Sequence, residues 1–413
     1  MKLKSGTDIR GVAVETETEK IELTDEAVEK ICTAFVIWLR EKVNKTDLRI
    51  AVGHDSRISA ARIKKAAVKA FSAQGVTVYD CGLASTPSMF MSIVLDIKAD
   101  ASLEITASHH PYQRNGLKFF TVNGGLEGRD VSDILHIAYR AELGAEQGKV
   151  IEYDFMGIYC AHLRNQIIAE VGAGEQPLSG LKISVDAGNG VGGFYAESVL
   201  KPLGADVSGS QFTEPDGMFP NHIPNPENQQ AIASACEMVK STNSDFGLIF
   251  DTDVDRMGCV GASGEEINRN RLVALAAVIA LENNQGGTVV TDSLTSDGLR
   301  EFIECSLCGK QLRFRRGYKN VIDKSIELNE SGTNSPLAIE TSGHAALKEN
   351  YFLDDGAFLA TKIVILLAKL KKQGKSVEEL IKNLKEPAES VEIRIPILRD
   401  DFTAYGENVI AGV

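Results

Sequence analysis

Short apolar or β-branched runs recur along this chain, and each gives way to an acidic residue before a stretch with helical spacing. The run 48–52 (Leu-Arg-Ile-Ala-Val) passes into Gly53-His54-Asp55-Ser56-Arg57, after which a helix is predicted over 60–74. Residues 181–185 pass into Asp186-Ala187-Gly188-Asn189-Gly190, 246–250 into Asp251-Thr252-Asp253, and 288–291 into Asp292-Ser293. Strand, polar loop and helix in that order predict an α/β fold on parallel sheets. The loops of such sheets gather at the carboxyl ends of the strands, where ligands bind. The units recur at about a hundred residues, the size of a domain. Polar stretches at 144–149, 172–180 and 261–266 are the candidate boundaries. An apolar helix over 358–371 and a short one over 377–384 precede Pro387 and a strand-like run over 391–398.

Composition narrows the class. A chain of 413 residues exceeds one ordinary core and implies two to four domains. Its 43% hydrophobic residues and mean hydropathy of −0.08 fit a globular protein in water, and no apolar run reaches bilayer-spanning length. A net charge of −13 repels nucleic acid and anionic membranes, which argues against both as partners. The opening Met1-Lys2-Leu3-Lys4-Ser5-Gly6 has no apolar leader, and a cytoplasmic protein is the expectation. Seven cysteines, an odd count, fit reduced thiols better than a disulfide framework. Cys305-Ser306-Leu307-Cys308 is a single CxxC without a second pair, and reads as two half-buried helix cysteines.

Against this acidic background several segments could carry chemistry. Thr106-Ala107-Ser108-His109-His110-Pro111 breaks a strand-like approach at small and polar residues, which exposes the Ser108 hydroxyl with His109 or His110 placed to orient it. Asn115-Gly116 turns the chain and returns Lys118 to the same region. By itself the segment reads equally well as a nucleophile loop or as a polar turn. Asp251, Asp253 and Asp255 alternate after an apolar strand, so their carboxylates can converge on one hard cation such as Mg²⁺, with Arg256 beside them. A calcium loop is excluded, because its sixth and twelfth positions are Arg256 and Ala262. Gly188-Asn189-Gly190-Val191-Gly192-Gly193 satisfies GxGxxG, but a tight strand-to-helix turn explains the glycines as well as a dinucleotide would. Glu340-Thr341-Ser342-Gly343-His344 suits vicinal sugar hydroxyls or, equally, a helix N-cap at Ser342. Arg313, Arg315, Arg316 and Lys319 make the densest basic cluster, fit for a phosphate or for a solvated face.

Taken together these segments resemble the α-D-phosphohexomutase family, the phosphomannomutases and phosphoglucomutases. Ser5-Gly6-Thr7-Asp8-Ile9-Arg10-Gly11 looks like the family's opening signature, with Arg10 reaching the site. The Ser108 segment is similar to its phosphoserine loop, the Asp251 segment to its metal loop, and Glu340 to His344 to its sugar loop. Arg316-Gly317-Tyr318-Lys319 resembles its third-domain ligand turn, and 215–226 (Pro-Asp-Gly-Met-Phe-Pro-Asn-His-Ile-Pro-Asn-Pro) a further typical stretch. The motifs run in family order from residue 5 to about 360. Two departures stand out: His110 replaces the usual asparagine, and the fourth domain's phosphate loop, of the form RxSGTEP, is absent from the sequence.

The resemblance implies three successive mixed α/β domains around a central cleft, with the fourth largely missing: 1–150 carrying the phosphoserine, 151–262 the metal, 263–372 the sugar loop, and 373–413 a linker and first strand of the last. It implies a phosphohexomutase that interconverts hexose 1-phosphate and hexose 6-phosphate, of mannose or glucose, through phospho-Ser108 and a hexose 1,6-bisphosphate. Ser108, Asp251, Asp253 and Asp255 would hold Mg²⁺; Arg10, Lys118 and Arg256 would stabilise the transferring group, with Lys118 or His109 carrying the proton. Glu340, Ser342, His344, Lys319 and Arg316 would bind substrate. Alternatives are a sugar-phosphate binder without turnover, a phosphoglucosamine mutase, and a Mg²⁺-dependent phosphatase working through an aspartyl phosphate.

Overall fold

Strands Arg49–His54 and Ala101–Ile105 form where the apolar runs place them, parallel to each other and to Thr77–Leu83 and Val150–Glu152. The computed structural model describes residues 3–411 apart from 173, 390, 392–395 and 400. Arg114–Thr121 runs antiparallel between Ala101–Ile105 and Asp8–Val12, so this first sheet is mixed rather than parallel. The same correction applies twice more. Ile183–Asp186 and Phe246–Phe250 are parallel, but Met257–Gly261 and Glu266–Ile267 add antiparallel strands. Thr288–Asp292 is parallel to Lys310–Phe314 and Leu337–Ile339, and Ala345–Leu347 returns antiparallel. A run's own pattern does not encode the direction of the strand it will meet, which is why only the parallel members were predicted.

Three successive mixed α/β units result, and two proposed boundaries move. Val150–Glu152 still pairs with Thr77–Leu83, so the first unit extends past residue 150. The stretch 261–266 is a hairpin turn inside the second sheet, with Gly264 at φ 75°, so that unit runs to Ile267. The helix predicted over 377–384 spans Val377–Leu380. Residues 392–395 of the strand-like run 391–398 lie outside the described residues. Cys305 and Cys308 are exposed rather than half-buried.

The first unit wraps helix Asp25–Val43, capped by Thr24 on Ala27 N–H, around Phe35, Phe71 and Phe119. Phe35 and Phe119 stack at 4.1 Å. Burying such a ring contributes about 1.5–3 kcal/mol. A second apolar cluster crosses unit boundaries. It starts at Met89 and Phe90 on helix Thr86–Val94, passes through Tyr159, Tyr195 and Phe250, and ends at Phe358 and Ile363 on helix Gly356–Lys371. Asp355 caps that last helix and accepts the Tyr159 hydroxyl at 2.8 Å, joining the third unit to the second. One continuous core thus fixes the walls of the cleft between the three units.

Candidate active site

Ser108 sits just past the end of Ala101–Ile105 with φ 51°, and it is buried rather than exposed as its small and polar neighbours predicted, because Arg57, Asp251 and Arg256 close over it. A non-glycine residue holds that left-handed conformation only when its surroundings over-determine it. Two groups do so here. Thr106 Oγ1 accepts the Ser108 N–H at 2.9 Å and donates to Asp55 Oδ2 at 2.7 Å. The buried Arg57 guanidinium donates to the carbonyls of Ser108, His110 (2.6 Å), Pro111 (2.8 Å) and Arg114 (2.9 Å), and through Nε to Asp55 (3.1 Å). Phe219, from the loop 215–226 of the second unit, covers the guanidinium at 5.3 Å. Arg57 was quoted in the sequence only as part of a strand-to-helix loop. The carbonyls it holds lie more than fifty residues away, so no spacing marks that role.

The Ser108 hydroxyl donates to Asp251 Oδ2 at 3.2 Å and accepts from Arg256 Nη2 at 3.1 Å, with His109 Nδ1 at 3.2 Å. Arg256 Nη2 also donates to His109 Nδ1, so that nitrogen is an acceptor. Burial first, then Arg256 and His110, push the His109 imidazole down to about 2, which keeps it neutral. His110 stacks on it at 5.2 Å.

The metal-loop carboxylates converge as the alternation predicted. Asp251, Asp253 and Asp255 follow strand Phe246–Phe250, all buried, with one oxygen from each within 4.8 Å of the others. Val254 turns the loop at φ 65°, a conformation a β-branched residue adopts only under constraint. Gly190 makes room for it: a Cβ there would meet Thr252 O at 2.6 Å. A Cβ at Gly193 would likewise meet Thr213 O at 2.2 Å and one at Gly192 would meet Phe250 at 3.1 Å, so close backbone packing accounts for these glycines of 188–193. Burial, then neighbouring carboxylates, raises Asp251 and Asp253. Burial also works against the charge on Asp255, but Lys118, His344 and Arg256 outweigh it and hold that carboxyl low. Asp253 Oδ1 and Asp255 Oδ1 have no hydrogen-bond partner. Orphaned carboxylate oxygens facing one another in a buried loop fit a hard divalent cation. Thr86, unmarked in the sequence, donates to Asp253 Oδ2 at 2.5 Å.

Lys118 donates to Asp255 Oδ2 at 2.8 Å, and although burial alone would lower it, Asp255 raises the ammonium well above its ordinary range. Arg10 pairs with Asp8 at 2.8 Å, with Asp253 in its field.

Glu340 to His344 is a hairpin turn between Leu337–Ile339 and Ala345–Leu347, so the helix-cap alternative for Ser342 fails. Gly343 lies so close to Met257 O, 2.3 Å from a hypothetical Cβ, that the third unit docks on the second through backbone. Glu340 Oε1 accepts Gly317 N–H at 2.6 Å, and Ser342 Oγ bonds Glu340 Oε2 at 3.4 Å. His344 Nδ1 bonds Asp354 Oδ2 at 2.5 Å. Thr341 turns away to Asp292 at 2.8 Å. Glu340, Ser342 and His344 face a cleft of about 580 Å³ also lined by His109, Arg256, Arg269, Arg316 and Tyr318.

The basic cluster separates. Arg313 pairs with Asp297 (2.6 Å), and Lys319 turns from the cleft to Glu127 (2.6 Å) and Asp323 (3.0 Å). Arg316 alone of the four lines the cleft, beside Glu227 at 3.3 Å. Arg269, not singled out in the sequence, joins it there and has no ion pair among the described residues. Among the described residues no helix is long and apolar enough to cross a membrane.

Models of phosphoglucomutase/phosphomannomutase alpha/beta/alpha domains I, II and III match residues 1–143, 158–264 and 268–387. A phosphoglucomutase of Neisseria meningitidis is 29% identical over 397 residues, covering 94% of this chain and 79% of its own. A phosphomannomutase/phosphoglucomutase of Pseudomonas putida is 30% identical over 84% of this chain and 72% of its own. The crystal structure of a phosphoglucomutase/phosphomannomutase family protein from Burkholderia thailandensis superposes with a TM-score of 0.75 at 27% identity, covering 93% of this chain and 80% of that one. With all three family domains matched in order, the chain belongs to the phosphoglucomutase/phosphomannomutase family, the α-D-phosphohexomutases.

Proposed function

We propose that the protein interconverts hexose 1-phosphate and hexose 6-phosphate, of glucose or mannose, through a phosphoryl group carried on Ser108. One observation carries this reading: the Ser108 hydroxyl lies where Asp251, Arg256 and His109 meet, and Arg256 and His109 in turn line a cleft that also presents Glu340, Ser342 and His344. Asp251, Asp253 and Asp255, with an oxygen of phospho-Ser108, would hold Mg²⁺, and such an ion when bound supplies charge neutralisation at a phosphoryl group.

In the forward step a sugar hydroxyl oxygen attacks the phosphorus of phospho-Ser108. The bond from phosphorus to Oγ breaks as the new ester bond forms, and the hydroxyl proton passes to an acceptor in the cleft. The product is a hexose 1,6-bisphosphate. It turns end over end, and the serine oxygen then takes the other phosphoryl group. Arg10, Lys118 and Arg256 hold cationic charge at the transferring group, where positioning and electrostatics do most of the work. Lys118 and His109 are the two candidate proton carriers: Lys118 donates to Asp255 and His109 Nδ1 accepts from Arg256, so either takes the proton only once released from that partner. Glu340 and Ser342 accept sugar hydroxyls in both orientations, and Arg316 and Arg269 face the phosphate that does not react.

Ser108→Ala is the test. It should abolish ³²P incorporation from glucose 1,6-bisphosphate and interconversion of either monophosphate. Undiminished labelling would sink the reading, and acid-labile label on Asp251 would favour a phosphatase instead. Comparing rates on glucose, mannose and glucosamine 1-phosphates identifies the sugar.

A further inference from the structure

Tyr318 and Lys319 open helix Tyr318–Glu330 of the third unit, yet both reach the first unit. The Tyr318 hydroxyl hydrogen-bonds Thr7 Oγ1 at 3.2 Å. Lys319 Nζ lies 2.6 Å from Glu127, the residue that precedes helix Gly128–Ala138. The Tyr318 ring also stacks on His344 at 5.2 Å and carries the Lys118 ammonium over its face at 5.2 Å. Its ring separates the polar cleft from a largely apolar cavity of about 380 Å³ behind it, lined by Phe90, Phe120, Ile322 and Phe352. Two consecutive side chains therefore join the walls of the cleft, and one of them touches groups from both walls at once.

A hexose bisphosphate that must turn inside an open cleft can also leave it. We propose that Tyr318 and Lys319 form a clasp that holds the third unit against the first and retains the bisphosphorylated intermediate while it turns. The inference rests on the mutase reading above. Tyr318 acts by positioning: its hydroxyl closes the walls, and its ring keeps Lys118 and His344 in register. Glu127 is exposed and outside the cleft, so it can influence the intermediate only through closure.

The experiment measures free hexose 1,6-bisphosphate released per monophosphate converted, using the full chain. Tyr318→Phe removes the hydroxyl and keeps the ring; Thr7→Val and Glu127→Gln remove the partners in the first unit. Each should raise the release ratio about three- to tenfold, the factor a single net hydrogen bond or weak ion pair supplies. A wild-type ratio in Tyr318→Phe or in Glu127→Gln overturns the clasp. A wild-type chain that converts no hexose phosphate refutes the mutase reading instead. In that event the clasp is judged by thermal unfolding: Thr7→Val and Tyr318→Phe together should lower Tm by less than the sum of their separate effects. Strict additivity would overturn it.

Discussion

Arg57→Lys tests whether the nucleophile loop is held by a residue that touches no substrate. The guanidinium serves five acceptors, Asp55 Oδ2 and the carbonyl of Ser108 in buried bonds and the carbonyls of His110, Pro111 and Arg114 in partly buried ones. Lysine keeps the charge but has three donors on a single nitrogen. At least two acceptors then lose their partner, at about 1–3 kcal/mol each, so the loop loses roughly 2–6 kcal/mol. Ser108 at φ 51° is strained in its own right, by about 1–3 kcal/mol for a residue in that region. With its restraint weakened, the loop relaxes and Oγ leaves the meeting point of Asp251 and Arg256. A displacement near 1 Å typically costs about a hundredfold in rate. Steady-state conversion of hexose 1-phosphate should therefore show kcat reduced about a hundredfold with KM little changed, since Arg57 is not among the residues lining the cleft. Urea unfolding should show an earlier midpoint. A variant with kcat within about threefold of wild type would refute the claim that the fork sets the nucleophile's position.

Glu104 is fully buried, and neither of its carboxyl oxygens has a hydrogen-bond partner. Burial, then Asp55 and Asp253, raises its carboxyl well above the ordinary range, so the folded chain holds a proton that the unfolded chain loses above pH ~4.3. Stability should fall by about 1.4 kcal/mol per pH unit from there up to the raised folded value. Glu104→Met should remove that slope, and parallel unfolding midpoints of the two proteins from pH 5 to 8 would contradict it. Arg269→Gln should raise KM for hexose 1-phosphate about tenfold or more, as loss of one charge-assisted hydrogen bond does, with a smaller effect on kcat. An unchanged KM would remove Arg269 from the phosphate end of the cleft.

The groups that the candidate site brings together were legible where a shared ligand constrains sequence locally. Three carboxylates on one cation need alternate positions after a strand, and Asp251, Asp253 and Asp255 have them. The groups that hold these loops obey no such spacing. Arg57 needs only to meet four carbonyls, Thr86 one carboxylate, and Asp354 one imidazole, and each meets its partner through tertiary packing. Composition misled where it counted charges without their partners: of four basic residues near Gly317, Arg313 and Lys319 are neutralised by acids that the fold brings from elsewhere. The antiparallel returns of all three sheets were missed for the same reason, since pairing direction is a property of two strands.

The charges gathered at Ser108 also bear on how the site works. Lys118 donates to Asp255, Arg256 to Asp251, and Arg10 pairs with Asp8, so each of these cations near Ser108 already has an acidic partner. Phosphorylating Ser108 adds about 1.5–2 negative charges. Against three buried carboxylates that addition is costly unless two positive charges arrive with it. The orphaned oxygens of Asp253 and Asp255 indicate where they would be taken up. Asp251, Asp253 and Asp255 would hold a divalent cation that neutralises most of the added charge, which would leave Arg10 and Arg256 to bind the phosphoryl group. On this argument the acidic loop makes the phosphoserine affordable as well as reactive, so neutralising any one of its carboxylates should weaken metal binding and retention of phosphate on Ser108 together.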